Sequence, residues 1–159
     1  MIIVSDSGPL AYLILIGFAD YLPQLYGEVY LPPSVLDELK HPRSPVIAWT
    51  HSLPGWLKVA TPKLIQGFPT LDVGEREAIA LALELDADRL LMDEKQGRSA
   101  ATAAGLQVAG TLAVIVDGAR KGLFDGFAAL ERLAATNFYA SRELIEHVRA
   151  LLVRHGSGP

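Results

Sequence analysis

The sequence predicts a three-layer α/β fold, in which helices flank a central parallel β-sheet, and three observations lead to this prediction. Apolar runs at residues 1–4 and 90–92 each end abruptly at polar residues, as strands buried on both faces do. Segments with helical character follow these runs, so strand and helix alternate along the chain. Half of the 159 residues are hydrophobic, which is enough to build a sizeable core within one domain.

The predicted strands are short apolar runs, and they cover residues 1–4, 29–31, 57–59 as an edge strand, 90–92 and 106–110. Residues that favour helix termini, such as Pro9, Asp72 and Gly105, mark the predicted helices. These helices cover residues 9–26 with a break near Gly17, 34–40, 46–52, 74–88, 94–104, 111–122, 124–135 and 141–153. We therefore expect one domain over residues 1–153 and a flexible tail at 154–159.

Composition and charge exclude several classes of function. The net charge of −4 and the pI of about 5.5 argue against a protein that holds nucleic acid by charge alone, because such proteins are normally basic. The absence of cysteine excludes disulfides, a thiolate zinc site and a cysteine nucleophile. The apolar stretch at residues 10–19 is shorter than the roughly 20 residues that span a membrane, and no signal peptide is visible. We expect a cytoplasmic protein with no membrane partner.

Two acids occupy the same position relative to a predicted strand. Asp6 and Asp93 each follow a buried apolar run, so both should emerge at the carboxyl edge of the sheet, where open α/β sheets bind ligands. Either residue alone is best explained as a helix N-cap, a position that Asp favours. Two acids at one edge repel each other unless a cation lies between them, and together they therefore favour a metal site.

The first turn of the helix at 74–88 supplies a third acid, and two glutamates compete for that role. Glu75 shares its helix face with small apolar residues, which places it on the side that packs near the sheet. Glu77 lies on a more mixed face and is the alternative. A first-turn acid that only complements the helix dipole is worth ~0.3–1 kcal/mol. The inward face of Glu75 favours a functional role for this residue over Glu77.

Polar residues next to the acids are candidates for substrate binding. Ser7 follows Asp6, and Lys95 and Arg98 lie one turn apart after Asp93, within reach of substrate phosphates. Ser7 is equally compatible with an ordinary turn residue, and for Lys95 and Arg98, taken singly, a solvated surface charge is the better explanation. Three or four carboxylates around one cavity form a hard-oxygen site that suits Mg²⁺ or Mn²⁺. Such ions activate a water and neutralise phosphate charge, which indicates a nuclease.

With these residues in place, the sequence resembles the PIN-domain family, and more narrowly the small prokaryotic VapC-like and DUF3368-type proteins predicted to bind nucleic acid. The resemblance depends on four motifs in a characteristic order that span most of residues 1–122. They are SDSGPL at 5–10, PPSVLDEL at 32–39, LDVGEREAIALALEL at 71–85 and LLMDEKQGRSAATAAGLQVAGTLAVI at 90–115.

The resemblance implies a PIN-like fold and a metal-dependent ribonuclease. The family's four acids fall on Asp6, Glu38, Glu75 and Asp93, which would hold Mg²⁺ or Mn²⁺. Glu38 is assigned mostly by the resemblance, because its neighbour Asp37 competes for the role and a solvated helix face explains both. VapC-type relatives usually carry Asp where this chain has Glu75. The resemblance also implies an RNA substrate, a homodimer and a cognate antitoxin, which would make the chain the toxin of a toxin–antitoxin pair.

Two other functions compete with this prediction. A phosphoryl-accepting domain of the receiver or phosphatase type would use Asp6 as a nucleophile beside a suitably placed lysine, but the paired acids of a receiver are missing. A non-catalytic interaction module with the PIN fold is the second alternative. The sequence favours the nuclease over both, because several acids are expected at one edge of the sheet.

Overall fold

A five-stranded parallel β-sheet forms the centre of the computed structural model, which describes residues 1–65 and 67–155. Its strands are β1 (Ile2–Ser5), β2 (Glu28–Leu31), β3 (Leu57–Val59), β4 (Arg89–Leu91) and β5 (Val108–Ala109). They are ordered β3-β2-β1-β4-β5, so β1 lies in the middle and β3 and β5 form the edges. All four pairings are parallel, which confirms the predicted α/β fold.

Eight α-helices, counted over the described residues, flank the sheet. They are α1 (Ser7–Ile16), α2 (Leu22–Tyr26), α3 (Pro33–Leu39), α4 (Val73–Glu84), α5 (Lys95–Ala103), α6 (Thr111–Arg120), α7 (Gly126–Ala134) and α8 (Arg142–His155). Two short 3₁₀ helices precede α2 and β3, at Ala19–Tyr21 and Ile47–His51. Within the described ranges, no helix has both the length and the apolar character needed to cross a membrane.

Apolar residues of the central strands form the middle of the core. Ile3 and Val4 of β1 and Leu90 and Leu91 of β4 have no solvent exposure. Val4 pairs with Leu90 on one side and with Tyr30 of β2 on the other. Strands buried on both faces need apolar residues at every position, which explains the unbroken apolar runs in the sequence.

The order of the strands reverses at β1. The chain runs outward from β1 to β2 and β3, and it then returns to β4 on the other side of β1. In an open parallel sheet this reversal leaves a crevice outside the carboxyl ends of the two central strands. The pairing continues past β1, because the backbone N–H of Asp6 donates to the carbonyl oxygen of Leu91 at 2.8 Å. The chain segments that follow β1 and β4 therefore begin next to each other at this crevice.

The helix boundaries agree with the sequence at α1 and differ at α8. Gly17 ends α1 in the left-handed conformation, with φ of 83°, which confirms the predicted break. We predicted that the last helix ends at 153, but α8 continues to His155. Val148 and Leu152 anchor it in the core, and the next helix-breaking residue is the glycine at 156. The first two residues of the predicted tail are thus helical, and 156–159 lie outside the described residues.

Candidate functional site

A cavity of about 540 Å³ opens at the carboxyl ends of β1 and β4, where the strand order reverses. Its lining is rich in carboxyl groups, which come from Asp6, Glu38, Asp72, Glu75, Asp93 and Glu94. We call it the acidic cavity. The structure thus brings the four sequence-predicted acids to one place, together with Ser7 and with two acids that the sequence analysis did not include in the site.

Asp6 lies at the N-cap position of α1, yet its side chain makes no capping hydrogen bond. The residue is only 8% exposed, and burial is the main cause that raises the pKa of Asp6 to about 7. The Ser7 backbone N–H opposes this shift, and the neighbouring carboxylates Glu38, Asp72 and Asp93 add to it. A buried carboxyl group that does not cap its own helix is available for another partner in the cavity.

Asp93 is held in place by the first residue of α6. Both Asp93 oxygens accept hydrogen bonds from Thr111, Oδ1 from the backbone N–H at 2.8 Å and Oδ2 from Oγ1 at 2.6 Å. Burial raises the pKa of Asp93, while the two bonds from Thr111 and the charge of Arg98 oppose the shift. This pair of bonds orients the carboxylate at the end of β4.

Glu75 is buried in the first turn of α4 and is joined to Asp72 in a capping box. The Glu75 N–H donates to Oδ1 of Asp72 at 2.8 Å, and the Asp72 N–H donates to Oε1 of Glu75 at 3.4 Å. The other oxygen, Oε2, is buried and has no hydrogen-bond partner among the described residues. Burial, followed by the hydrogen bond and charge of Asp72, raises the pKa of Glu75 to about 7. Glu75 therefore has one buried oxygen whose capacity to accept a bond is unused among the described residues.

The structure separates Glu75 from its competitor Glu77. Oε1 of Glu77 accepts hydrogen bonds from Ser34, from the backbone N–H at 3.4 Å and from Oγ at 2.8 Å. These bonds tie α4 to α3, and Glu77 does not line the acidic cavity. Glu77 therefore has a structural partner, whereas Glu75 faces the cavity.

Glu38 reaches the cavity from α3 and is fixed by Ser7. The Ser7 hydroxyl donates a short hydrogen bond to Oε2 of Glu38. Burial raises the pKa of Glu38, the Ser7 bond opposes the shift, and the charge of Asp72 adds to it. The other oxygen, Oε1, lies so close to Gly74 that a Cβ at that position would collide with it. The neighbouring Asp37 is exposed and does not line the cavity.

The two predicted cationic residues lie in different places. Lys95 is outside the acidic cavity and lines a shallow depression beside Phe68 and Leu71. Arg98 lies beside Asp93, and its guanidinium donates to the carbonyl oxygen of Met92 at 3.0 Å. Arg98 faces a second cavity that adjoins the acidic one. The structure therefore places Arg98 next to the acids and Lys95 away from them.

The lining of the acidic cavity fits a hard divalent cation in its chemistry. Carboxylate oxygens are the ligands that Mg²⁺ and Mn²⁺ prefer, and Glu75 Oε2 is a buried acceptor without a partner. Loss of solvent is the main cause of the raised pKa values of Asp6, Glu38, Glu75 and Asp93, and the charges of neighbouring acids add to the shift at Asp6, Glu38 and Glu75. However, no three acidic or histidine side chains within the described residues are arranged to hold one metal ion. The carboxyl groups are gathered around the cavity but do not converge on one point.

The fold and the cavity define an α/β domain with an acidic pocket at the reversal of its strand order. The chain belongs to the PIN-domain family, because the family model DUF3368, described as a PIN domain, matches residues 2–153. PIN domains are generally a nuclease fold, which implies a nucleic-acid substrate, and they generally use divalent metal ions. The resemblance seen in the four sequence motifs is thereby confirmed.

A PilT N-terminus domain protein from the hyperthermophilic archaeon Sulfolobus solfataricus P2 is similar in structure. The two chains are 16% identical, with a TM-score of 0.49, and the match covers 89% of this chain and 98% of the archaeal one. No match was found among curated proteins.

Among the residues that sequence reasoning did not assign to the site, Asp72 and Thr111 hold two of the predicted acids. Asp72 was predicted only as an N-cap, yet it lines the cavity and pairs with Glu75. Thr111 was not singled out, although it binds both oxygens of Asp93. A signal for Thr111 was present, because it follows β5 and thus starts a helix at the same edge of the sheet as Asp6 and Asp93.

Proposed function

We propose that this PIN domain is an endoribonuclease that hydrolyses RNA phosphodiester bonds with Mg²⁺ or Mn²⁺. The observation that supports this most directly is the meeting of Asp6, Glu38, Glu75 and Asp93 at one cavity. Four carboxyl groups around one cavity, of which Asp6 and Glu75 are buried, repel one another without a cation, and a divalent ion removes that repulsion. RNA as the substrate is supported by the likeness to VapC-type proteins.

In the proposed mechanism, the four carboxylates supply the oxygen ligands of the cation. When bound, the cation activates a water for attack on phosphorus and neutralises charge on the phosphate. The roles of the chain are to bind and to orient. Asp93 keeps its direction through Thr111, and Glu38 keeps its direction through Ser7. Buried groups with fixed orientation lose little entropy when the substrate and the ion are bound.

Cleavage of an RNA pool in Mg²⁺, Mn²⁺ or chelator tests this proposal. We expect Asp6→Asn to abolish cleavage and to leave the fold intact, because Asn has nearly the same shape and the Asp6 side chain makes no capping hydrogen bond that would be lost. Glu38→Gln should lower cleavage, whereas Asp37→Asn is the matched control on the same helix and should cleave normally. Metal-independent cleavage, or full activity in Asp6→Asn, would contradict the proposal.

The proposed partners and setting follow the likeness to VapC-type proteins. We propose that the chain acts in the cytoplasm as a homodimer and as the toxin of a toxin–antitoxin pair. Its expression should then arrest growth, and co-expression of the neighbouring gene product should restore growth. Light scattering measures whether the purified chain is a dimer. Growth that is unaffected by an RNA-cleaving chain would contradict the toxin role.

A second candidate function is an interaction module that keeps the PIN fold without catalysis. The separation of the carboxylates favours it, because no three of the described acids are arranged to hold one ion. Calorimetric titration of the wild-type chain with Mn²⁺, repeated with Asp93→Asn, distinguishes the two functions. Binding that is lost in Asp93→Asn supports the nuclease, and absent binding in the wild-type chain supports the module.

The phosphoryl-accepting alternative finds little support in the cavity. Such a domain needs a lysine near its nucleophilic Asp, and none of the described residues that line the acidic cavity is a lysine. Incubation of the chain with a phosphoryl donor, followed by intact-mass measurement, tests this directly. We expect no added phosphoryl group on Asp6.

A further inference from the structure

A second cavity, of about 600 Å³, adjoins the acidic cavity and lies along α6, α8 and the outer strand β5. We call it the lateral groove. Asp93, Phe138 and Tyr139 line both cavities, so the two spaces adjoin at these residues. A chain-like ligand that enters the acidic cavity can therefore extend into the lateral groove.

The two cavities differ in charge. The acidic cavity is lined by carboxyl groups, whereas the lateral groove has a largely apolar lining whose charged and basic groups are Arg89, Arg98, Arg120, His147 and the acids Asp93 and Asp117. Arg89 is paired with Asp117 at 2.7 Å, so its charge is compensated. Arg120 is exposed and has no ion-pair partner among the described residues. Arg98 lies beside Asp93, so Arg120 is the groove cation that is left for a phosphate of a polyanionic ligand, in a chain that is acidic overall.

The junction between the cavities carries an exposed tyrosine on an anchored loop. Phe138 packs edge-on against Tyr12, with 5.1 Å between ring centroids and 86° between the ring planes. The Tyr12 hydroxyl donates to Oδ1 of Asn137 at 2.9 Å, and the Phe138 N–H donates to Oγ1 of Thr136 at 3.1 Å. The next residue, Tyr139, is 87% exposed. The loop therefore holds an aromatic ring in solvent beside the acids without using it in the core.

We propose that Tyr139 stacks on an unpaired base beside the phosphate held in the acidic cavity, and that the strand continues into the lateral groove. Arg120 and His147 contact its phosphates there. The inference builds on the proposed function, because it names the form of the substrate at the same site. The substrate is single-stranded at this point, since a base inside a duplex does not present its face to a side chain.

Fluorescence anisotropy with a labelled single-stranded RNA of about 12 nucleotides tests the stacking. The variants are made in the Asp6→Asn background with Mg²⁺ present, so that the probe is not cut. We expect Tyr139→Leu to weaken binding about tenfold and Tyr139→Phe to bind nearly as tightly as the parent, because Phe retains the ring. A 2-aminopurine base in the probe should lose its stacking-dependent quenching in Tyr139→Leu. Equal binding by Tyr139→Leu and its parent would overturn the proposal.

The salt dependence of binding tests the path along the groove. Removing one phosphate contact lowers the slope of log K against log salt by about 0.7 for a single strand. We expect this reduction in Arg120→Gln. Arg149→Gln is the matched control, because Arg149 is exposed on α8, does not line the groove, and its loss changes the net charge equally. Equal slopes for the two variants would show that the lateral groove does not bind the RNA strand. The groove would then bind a ligand other than RNA.

The two proposals fail in different ways. The wild-type chain could fail to cut RNA with either metal ion and still show binding that depends on Tyr139. In that case the nuclease proposal fails, and the proposal that the RNA strand runs past Tyr139 into the lateral groove stands. If the wild-type chain cuts RNA but Tyr139→Leu and Arg120→Gln bind the probe like the parent, only the proposed course of the RNA strand past Tyr139 and along the lateral groove fails. Thermal unfolding should be the same for all Tyr139 variants, because the side chain is almost fully exposed.

Discussion

Thr111 donates two hydrogen bonds to Asp93, one to each carboxylate oxygen, at 2.8 and 2.6 Å. The first residue of α6 thereby orients the acid that follows β4. Two short bonds on one carboxylate leave it little freedom to rotate, and the remaining lone pairs stay directed to the cavity. In metal sites, the removal of such a supporting bond commonly lowers metal affinity by 10–100-fold.

Thr111→Val removes the hydroxyl bond but retains the shape of the side chain and the backbone N–H bond. We expect Mn²⁺ to bind roughly tenfold more weakly, because Asp93 is less well oriented. The lost bond should lower the free energy of unfolding by about 1 kcal/mol. Calorimetry measures the affinity. Thr102→Val is the control, since Thr102 is exposed on α5. Unchanged affinity in Thr111→Val would show that the hydroxyl does not support the site.

Glu75→Gln should lower cleavage and leave the protein stable, whereas Glu77→Ala should lower stability and leave cleavage intact. Glu75→Gln retains an oxygen for the capping box, so we expect a stable protein whose metal-dependent cleavage falls about 100-fold or more. Glu77→Ala removes the acceptor of both Ser34 bonds and should destabilise the protein by about 1 kcal/mol while cleavage is retained. Urea unfolding and RNA cleavage measure the two effects. Loss of cleavage in Glu77→Ala alone would reverse the assignment.

The metal-free protein should become less stable as pH rises. The pKa values of Asp6 and Glu75 are about 7 in the folded chain, above the ordinary 3.8 and 4.5, so the folded state binds more protons than the unfolded state between these values. Stability is thus lost between about pH 4 and pH 7 and levels off above that range. We expect the free energy of unfolding in chelator to fall by roughly 2–5 kcal/mol from pH 5 to pH 8, because each of the two groups contributes up to about 2–3 kcal/mol.

Two controls accompany this pH experiment. Asp6→Asn should reduce the pH dependence, and Asp37→Asn should leave it unchanged, because Asp37 is exposed and outside the cavity. Mn²⁺ should raise the unfolding temperature more at pH 8 than at pH 5, because it binds the ionised carboxylates. Stability that rises with pH in chelator would contradict the burial of these acids.

Gly97→Ala should displace the Glu75 side chain, which lies against Gly97. A Cβ at Gly97 would lie 2.6 Å from Oε2 of Glu75 and closer still to the sulfur of Met92. We expect a loss of roughly 1–3 kcal/mol from overpacking, partly offset by about 1 kcal/mol because Ala favours helices. Metal binding should weaken as Glu75 is displaced. Gly55→Ala is the control, since nothing lies within 4 Å of a Cβ there. Normal metal affinity in a folded Gly97→Ala would show that Glu75 is not a ligand.

Much of the fold could be predicted because its signals are local. The buried runs that became β1 and β4 are unbroken apolar segments, and Gly17 marks the end of α1 by itself. The end of α8 was predicted two residues early, because the apolar pattern ends at Val153 whereas the first helix-breaking residue is the glycine at 156. For the site, Asp6 and Asp93 were identifiable because both follow buried strands, and strand ends in a parallel sheet share one edge.

The sequence by itself determined the alternation of strands and helices, the family motifs and the two acids that end the central strands, because these depend on short-range patterns. Only the tertiary structure decided that Glu75 faces the acids while Glu77 binds Ser34. Only the tertiary structure also brought Thr111 to Asp93, across 18 positions of the chain. The physical reason is that these hydrogen bonds join segments far apart in the sequence. Which side chains meet depends on how those segments pack, and local periodicity does not specify that packing.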